Sequence, residues 1–179
     1  MSDFAPAVPL APDHAVEEFD CGAQAETDWL RRSARVAEAA GTARTYIVTR
    51  EGSSRVVGYY ALAASKVEPA KAPARLLKGA GRTDVPVVLL ARLGVDITAQ
   101  GCGLGRRLVF DALLRVVSAS KIIGARAHLI DAETEQAKQF YLHIGEFEES
   151  PVNPLQLCLL MKDLRRALKD AEIEMEYGL

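Results

Sequence analysis

A nearly continuous apolar run, Val87 to Val95, is broken by one charged residue, Arg92. Such a run fits a central strand buried on both faces. Upstream, Thr45–Arg50 and Arg55–Ser65 are rich in β-formers and are separated by Glu51-Gly52-Ser53-Ser54, which predicts a hairpin. Before them, Gln24–Ala40 sets Trp29, Leu30, Val36 and several alanines against Arg31, Arg32, Arg35 and Glu38. That spacing predicts a helix ended by Gly41. Downstream, Leu104, Leu108, Ala112 and Val116 recur every four residues and predict the inner face of a helix over Gly103–Ser118. Ala125–Ile130 reads as a strand. Thr134–Ile144 reads as a helix with Ala137, Phe140, Tyr141 and Ile144 on one stripe, capped by Thr134 or Asp131. Phe147–Glu148 and Leu155–Met161 read as a closing strand pair.

The remaining segments are less regular. Residues 1–12, with Pro6, Pro9 and Pro12, suit an irregular arm or a short edge strand around Val8 and Leu10. Lys66–Pro86 is a long loop rich in Pro, Gly, Ala and basic residues, with a short helix near Ala74–Lys78. Residues 163–179 form a charged C-terminal tail with helical spacing, expected to be partly disordered. The order of elements predicts an α/β protein, with a mixed central β-sheet and helices on both faces, built as a single domain over 1–179.

Composition changes this picture little. With 179 residues, 49% hydrophobic and 26% charged, the chain can fill a core. A net charge of -2 means that any polyanion site must be a local patch. The three cysteines, Cys21, Cys102 and Cys158, are far apart and odd in number, which argues against a disulfide framework or a zinc site. No metal is expected. The start lacks the pattern of a secretory signal and no stretch reaches the ~20 apolar residues of a membrane span. A soluble, cytoplasmic protein without membrane contact is expected.

Chemistry concentrates at Gln100-Gly101-Cys102-Gly103-Leu104-Gly105-Arg106-Arg107, between the apolar strand and the helix. The first amides of a helix lack internal partners and carry partial positive charge, so they hold phosphate or pyrophosphate. Glycines let the backbone approach such an anion, and the arginines add charged donors. Taken alone, the same glycines also suit a plain tight turn. A P-loop is excluded because no lysine followed by Ser or Thr stands here.

The segment Gln100 to Gly105 matches the Q/R-x-x-G-x-G/A motif of the GNAT superfamily of acetyltransferases, and Phe140-Tyr141-x-x-x-Gly145-x-Phe147 follows where that family carries its second element. Phe19-Asp20-Cys21-Gly22, Asp28-Trp29-Leu30, Tyr59-Tyr60-Ala61-Leu62 and Arg92-Leu93-Gly94-Val95-Asp96 resemble more narrowly the GNAT toxins of bacterial type II toxin–antitoxin modules. The resemblance runs from about Leu10 to Met161. It implies acetyl-coenzyme A as donor and the α-amine of an aminoacyl-tRNA as acceptor, with translation blocked. It also implies an antitoxin of ribbon-helix-helix type. Subunit number stays open, a homodimer being one option. Carried over residue by residue, Leu93, Gly94 and Val95 would pair with the pantetheine arm and polarise the thioester. Gln100, Gly101, Cys102, Gly103, Leu104, Gly105 and Arg106 would hold the pyrophosphate, and Tyr141 would protonate the leaving thiolate.

The residues refine that expectation. Many GNAT enzymes place a glutamate base on the central strand, but Val87–Val95 contains no carboxylate. An α-amine, with a pKa of ~7.7–8.0, needs less help than a lysine near ~10.4. Arg31, Arg32, Lys78 and Arg92, among other basic residues, can form a face for a tRNA backbone; the same residues also suit a solvated surface. Tyr141 likewise suits packing as well as catalysis. Two other functions fit the residues: acetyl transfer to a small-molecule or protein amine, and a coenzyme-binding regulatory module without turnover.

Overall fold

The structure, a computed structural model, describes residues 3–177, with side chains as far as Ala171. Its elements are β1 (Val8–Pro9), α1 (Gln24–Asp28), a π-helical turn (Trp29–Ser33), α2 (Ala34–Ala40), β2 (Arg44–Thr49) and β3 (Val56–Val67). They continue with α3 (Ala74–Leu77), β4 (Val85–Val95), α4 (Leu104–Ser120), β5 (Ala127–Asp131), α5 (Glu135–Leu142), β6 (Glu148–Glu149), β7 (Gln156–Leu160) and α6 (Met161–Tyr177). The strands form a mixed seven-stranded sheet in the order β1-β2-β3-β4-β5-β7-β6. The chain divides into two compact units, one running to Ala64 and taking in Leu90–Ala112, the other comprising Ser65–Leu89 and the chain from Leu113 on.

In the first unit β1 pairs with β2, and β2 with β3, both antiparallel, with Val8 opposite Ile47 and Tyr46 opposite Tyr60. The edge strand around Val8 is thus present. Phe19, Leu30, Ala34, Ile47, Val56 and Tyr59 form a buried cluster, with Trp29 packed against it. Gly58 lets the start of α4 lie directly on β3: a Cβ there would stand 3.0 Å from Leu104 and 3.1 Å from Leu108. Tyr60 Oη fixes the same helix further along, donating to Asp111 at 2.5 Å.

In the second unit β5 and β7 pair antiparallel, as do β6 and β7. Leu76, Val85, Val87, Leu129, Cys158 and Leu160 are buried together. Arg75 on α3 ties that short helix to Glu148 and, at 2.8 Å, to Asp163. His128 is fully buried and its Nδ1 lies 2.9 Å from the Val88 carbonyl.

Four expectations are corrected. The predicted helix over Gln24–Ala40 contains a π turn. The extra residue rotates the remainder of the helix by about 100°, which carries Val36 off the inner face to 67% exposure. β4 is not buried on both faces: Val87, Leu90 and Gly94 are buried, whereas Val88, Leu89, Ala91, Leu93 and Val95 are half-buried. On α5 the buried positions are Lys138 and Tyr141, while Phe140 turns outward. Lys138 is held by Glu149 at 2.8 Å, so the ammonium has a partner where the stripe suggested only apolar residues. The charged tail is the helix α6 as far as Tyr177, opening with Leu164 buried; residues 178 and 179 lie outside the described residues.

Candidate functional site

Gly101 and Gly103 both adopt left-handed φ, 76° and 77°, which L side chains rarely tolerate. At either one, a Cβ would point into open space. Their backbone is therefore accessible as well as sharply turned. The first helical bond of α4 runs from Arg107 N to Gly103 O at 3.2 Å, so the amides of Leu104, Gly105 and Arg106 have no partner inside the helix. Leu104 is buried and anchors the turn, while Gly101, Cys102, Gly103 and Arg106 are exposed. The arrangement suits an anion at the start of a 17-residue helix.

Gln100 braces this loop. Its side-chain amide donates to the carbonyls of Cys21, at 3.0 Å, and Val95, at 2.9 Å. It fastens the segment before α1 to the end of β4. Asp96, fully buried, makes a second knot beside it. It accepts from Asp20 N at 3.0 Å, Thr98 N at 2.9 Å and Thr98 Oγ1 at 2.6 Å, with Arg55 at 3.7 Å. Burial pushes its carboxyl up, but the hydrogen bonds from Thr98 and Asp20, with the charge of Arg55, outweigh that and hold it below the ordinary range. The sequence names Asp96 only as the end of the Arg92–Asp96 motif and gives it no role, because the donors that hold an acidic residue after a strand are assembled only by the fold.

Gly94 owes its identity to packing. A Cβ there would stand 2.9 Å from Tyr59, 3.2 Å from Phe19 and 3.4 Å from Cys21. Tyr59 is edge-on to Phe19 and stacked on Trp29, with ring centroids 5.4 Å and 5.9 Å away. Its hydroxyl donates to the Glu26 carbonyl at 2.7 Å. Four stretches singled out in the sequence, around Phe19, Trp29, Tyr59 and Gly94, are thus one cluster.

The basic residues are divided. Arg31 and Arg32 are exposed on the π turn, Arg32 facing Asp28 loosely at 3.9 Å. Arg92, half-buried, meets Glu26 at 3.3 Å. Lys78 is exposed in the second unit. Lys66, Lys71 and Arg75 are engaged with Asp84, Glu68 and the Glu148–Asp163 pair. Such surface pairs contribute little and open readily.

Tyr141, in the second unit, stands on α5, whose N-cap is Thr134, accepting from Ala137 N at 3.1 Å. Its ring is buried between Phe140 and Phe147, with centroids 5.2 Å and 6.5 Å away. Among the described residues no cluster of His, Cys, Asp and Glu suits a metal ion, and no helix is long and apolar enough to cross a membrane.

No family model matches the chain. It is 41% identical over 170 residues, 95% of its length and 100% of the relative's, to the tRNA-acetylating toxin of Mycobacterium tuberculosis (strain ATCC 25618 / H37Rv). Among solved structures it is similar to AtaT complexed with acetyl-methionyl-tRNAfMet, with a TM-score of 0.83 and 29% identity, covering 93% of this chain and 99% of the other. A tyrosine-to-phenylalanine mutant of the AtaT toxin, bound to the C-terminus of the antitoxin AtaR and acetyl-CoA, is similar with a TM-score of 0.77 and 27% identity, covering 94% and 99%. The turn before α4, the strand that leads into it and a relationship extending over nearly the whole chain agree: this protein belongs to the GNAT family of tRNA-acetylating toxins.

Proposed function

We propose that this chain transfers acetyl from acetyl-CoA to the α-amine of an aminoacyl-tRNA, stopping translation as the toxin of a toxin–antitoxin pair. The observation that carries the reading is the left-handed Gly101–Gly103 cradle at the start of α4. The whole-length similarity to a tRNA-acetylating toxin supports the choice of acceptor and a single acetyltransferase domain. The antitoxin of the AtaT complex supports a protein partner, for which we expect the ribbon-helix-helix type. Action in the cytoplasm follows from a charged tRNA as substrate.

The residues fit the donor. Gly101 and Gly103 bring the main chain close to the diphosphate. The free amides of Leu104, Gly105 and Arg106 donate to it, with the Arg106 guanidinium outside. Gln100 serves by fixing the loop, its side-chain amide being engaged with Cys21 and Val95. Cys102 contributes its place in the loop; its thiol lies 3.6 Å from the Gln100 carbonyl. Leu93, Gly94 and Val95 offer main-chain groups to the pantetheine arm and amides to the thioester carbonyl. The neutral fraction of the amine attacks, and Tyr141 protonates the departing thiolate. Arg31, Arg32, Lys78 and Arg92 are assigned to the tRNA backbone.

The test is acetyl transfer from labelled acetyl-CoA to total charged tRNA. A modified aminoacyl-tRNA is expected, with activity falling steeply as salt rises. Transfer to protein or small amines instead, with charged tRNA untouched, would overturn the acceptor. Coenzyme binding with no turnover on any amine would overturn the activity.

A further inference from the structure

Glu26 on α1 is buried, with 7% exposure. Its Oε1 accepts from Arg92 Nη1 at 3.3 Å, while Oε2 is buried with no hydrogen-bond partner among the described residues. Leaving a buried acceptor unmet costs about 1–3 kcal/mol, more for a charged group. A single guanidinium contact does not supply the several donors that a buried carboxylate requires. Position 26 points inward from its helix, where an apolar side chain would fit at lower cost.

The surroundings define the missing donor. The Glu26 carbonyl receives the Tyr59 hydroxyl, Tyr59 stacks on Trp29, and the same ring abuts Gly94. Arg92 lies two residues before Gly94, so both project to one face of β4. The acid is thereby joined to Leu93–Val95, the stretch assigned to the thioester. Trp29, which packs against the buried cluster, and Arg92, which meets Glu26, are both half-buried. An unmet carboxylate lone pair fits a primary amine, whose N–H groups donate and whose protonated form is cationic. It disfavours a phosphate or carboxylate. β4 carries no carboxylate of its own, and the fold brings one to it from α1.

We infer that Glu26 is the catalytic residue that receives the acceptor's α-amine, an assignment resting on the proposed aminoacyl-tRNA acceptor. Oε2 accepts one amine N–H. As the nitrogen bonds to the acetyl carbon, its surplus proton passes to Glu26. The carbon–sulfur bond breaks, and the thiolate takes the proton of Tyr141. Glu26 then releases a proton to solvent and Tyr141 regains one, so amide and free thiol are the only net products.

Glu26→Gln keeps the shape and an oxygen for Arg92 but cannot take a proton. With charged tRNA as acceptor, kcat/KM is expected to fall by at least about tenfold, while the KM for acetyl-CoA and the melting temperature hold. Turnover within about twofold of wild type would overturn the assignment. A second arm uses the wild-type protein saturated with coenzyme A, so that folding of a variant is not at issue. A hydrolysis-resistant aminoacyl-adenosine amide should bind at least about tenfold more tightly than its des-amino analogue; equal affinities would overturn it. Wild-type protein that acetylates no charged tRNA would sink the functional reading instead, which separates the two failures.

Discussion

A methyl group on Gly94 would stand 2.9 Å from Cε1 of Tyr59, closer than carbon atoms pack. Tyr59 cannot yield, because its ring is fully buried between Phe19 and Trp29 and its hydroxyl is bonded to Glu26. Gly94→Ala should therefore displace β4 where the thioester is to lie. Overpacking of this kind costs about 1–3 kcal/mol, and the KM for acetyl-CoA should rise with it. Thermal melts and steady-state kinetics check both; unchanged stability would mean that β4 has room to shift.

Tyr141→Phe retains the ring that packs against Phe147 and removes the phenolic hydroxyl, with the proton it would donate. Fold and acetyl-CoA affinity should hold while kcat drops by about 10²- to 10⁴-fold, the range of a general acid. Expression of the wild type should arrest growth and the variant should relieve it. Normal turnover by the variant would remove Tyr141 from the mechanism.

His128 links folding to pH. Burial pulls its imidazole down from 6.5 to about 4, against the opposing pull of the Val88 carbonyl. Above pH ~6.5 the ring is neutral in both folded and unfolded chains and contributes no pH dependence. As pH falls from there towards 4, the unfolded chain takes up a proton that the folded one refuses, and stability is lost. The loss approaches about 3 kcal/mol at pH 4. His128→Asn, which does not titrate, should flatten that slope in denaturant titrations; an identical slope would place the titrating group elsewhere.

The cysteines offer a test of the donor site. Cys158 is buried, and burial first, then the charge of Glu148, pushes its thiol up to about 12. Cys102 is exposed in the glycine turn. Iodoacetamide should label Cys102 and spare Cys158 in the folded protein. Acetyl-CoA should slow labelling of Cys102 in proportion to occupancy. Labelling indifferent to saturating acetyl-CoA would mean that the diphosphate is held elsewhere.

The elements, and the glycine turn proposed to hold the diphosphate, were legible in the order of residues alone, because both depend on near neighbours. Strand alternation, the four-residue spacing through Leu104 and Val116, and left-handed backbone at Gly101 and Gly103 are local demands that a short stretch satisfies alone. Tertiary structure decided what those elements hold. Gln100 reads as a ligand to diphosphate, yet its side chain braces Cys21, 79 residues away. Gly94 is glycine because of Tyr59 and Phe19. Glu26 looks like one more charge on a polar helix until β4 brings Arg92, 66 residues on, against it. The π turn and the outward swing of Phe140 arise from the same source. Helical periodicity states which residues share a face, but only packing chooses which face is buried and which carboxylate oxygen is left without a donor.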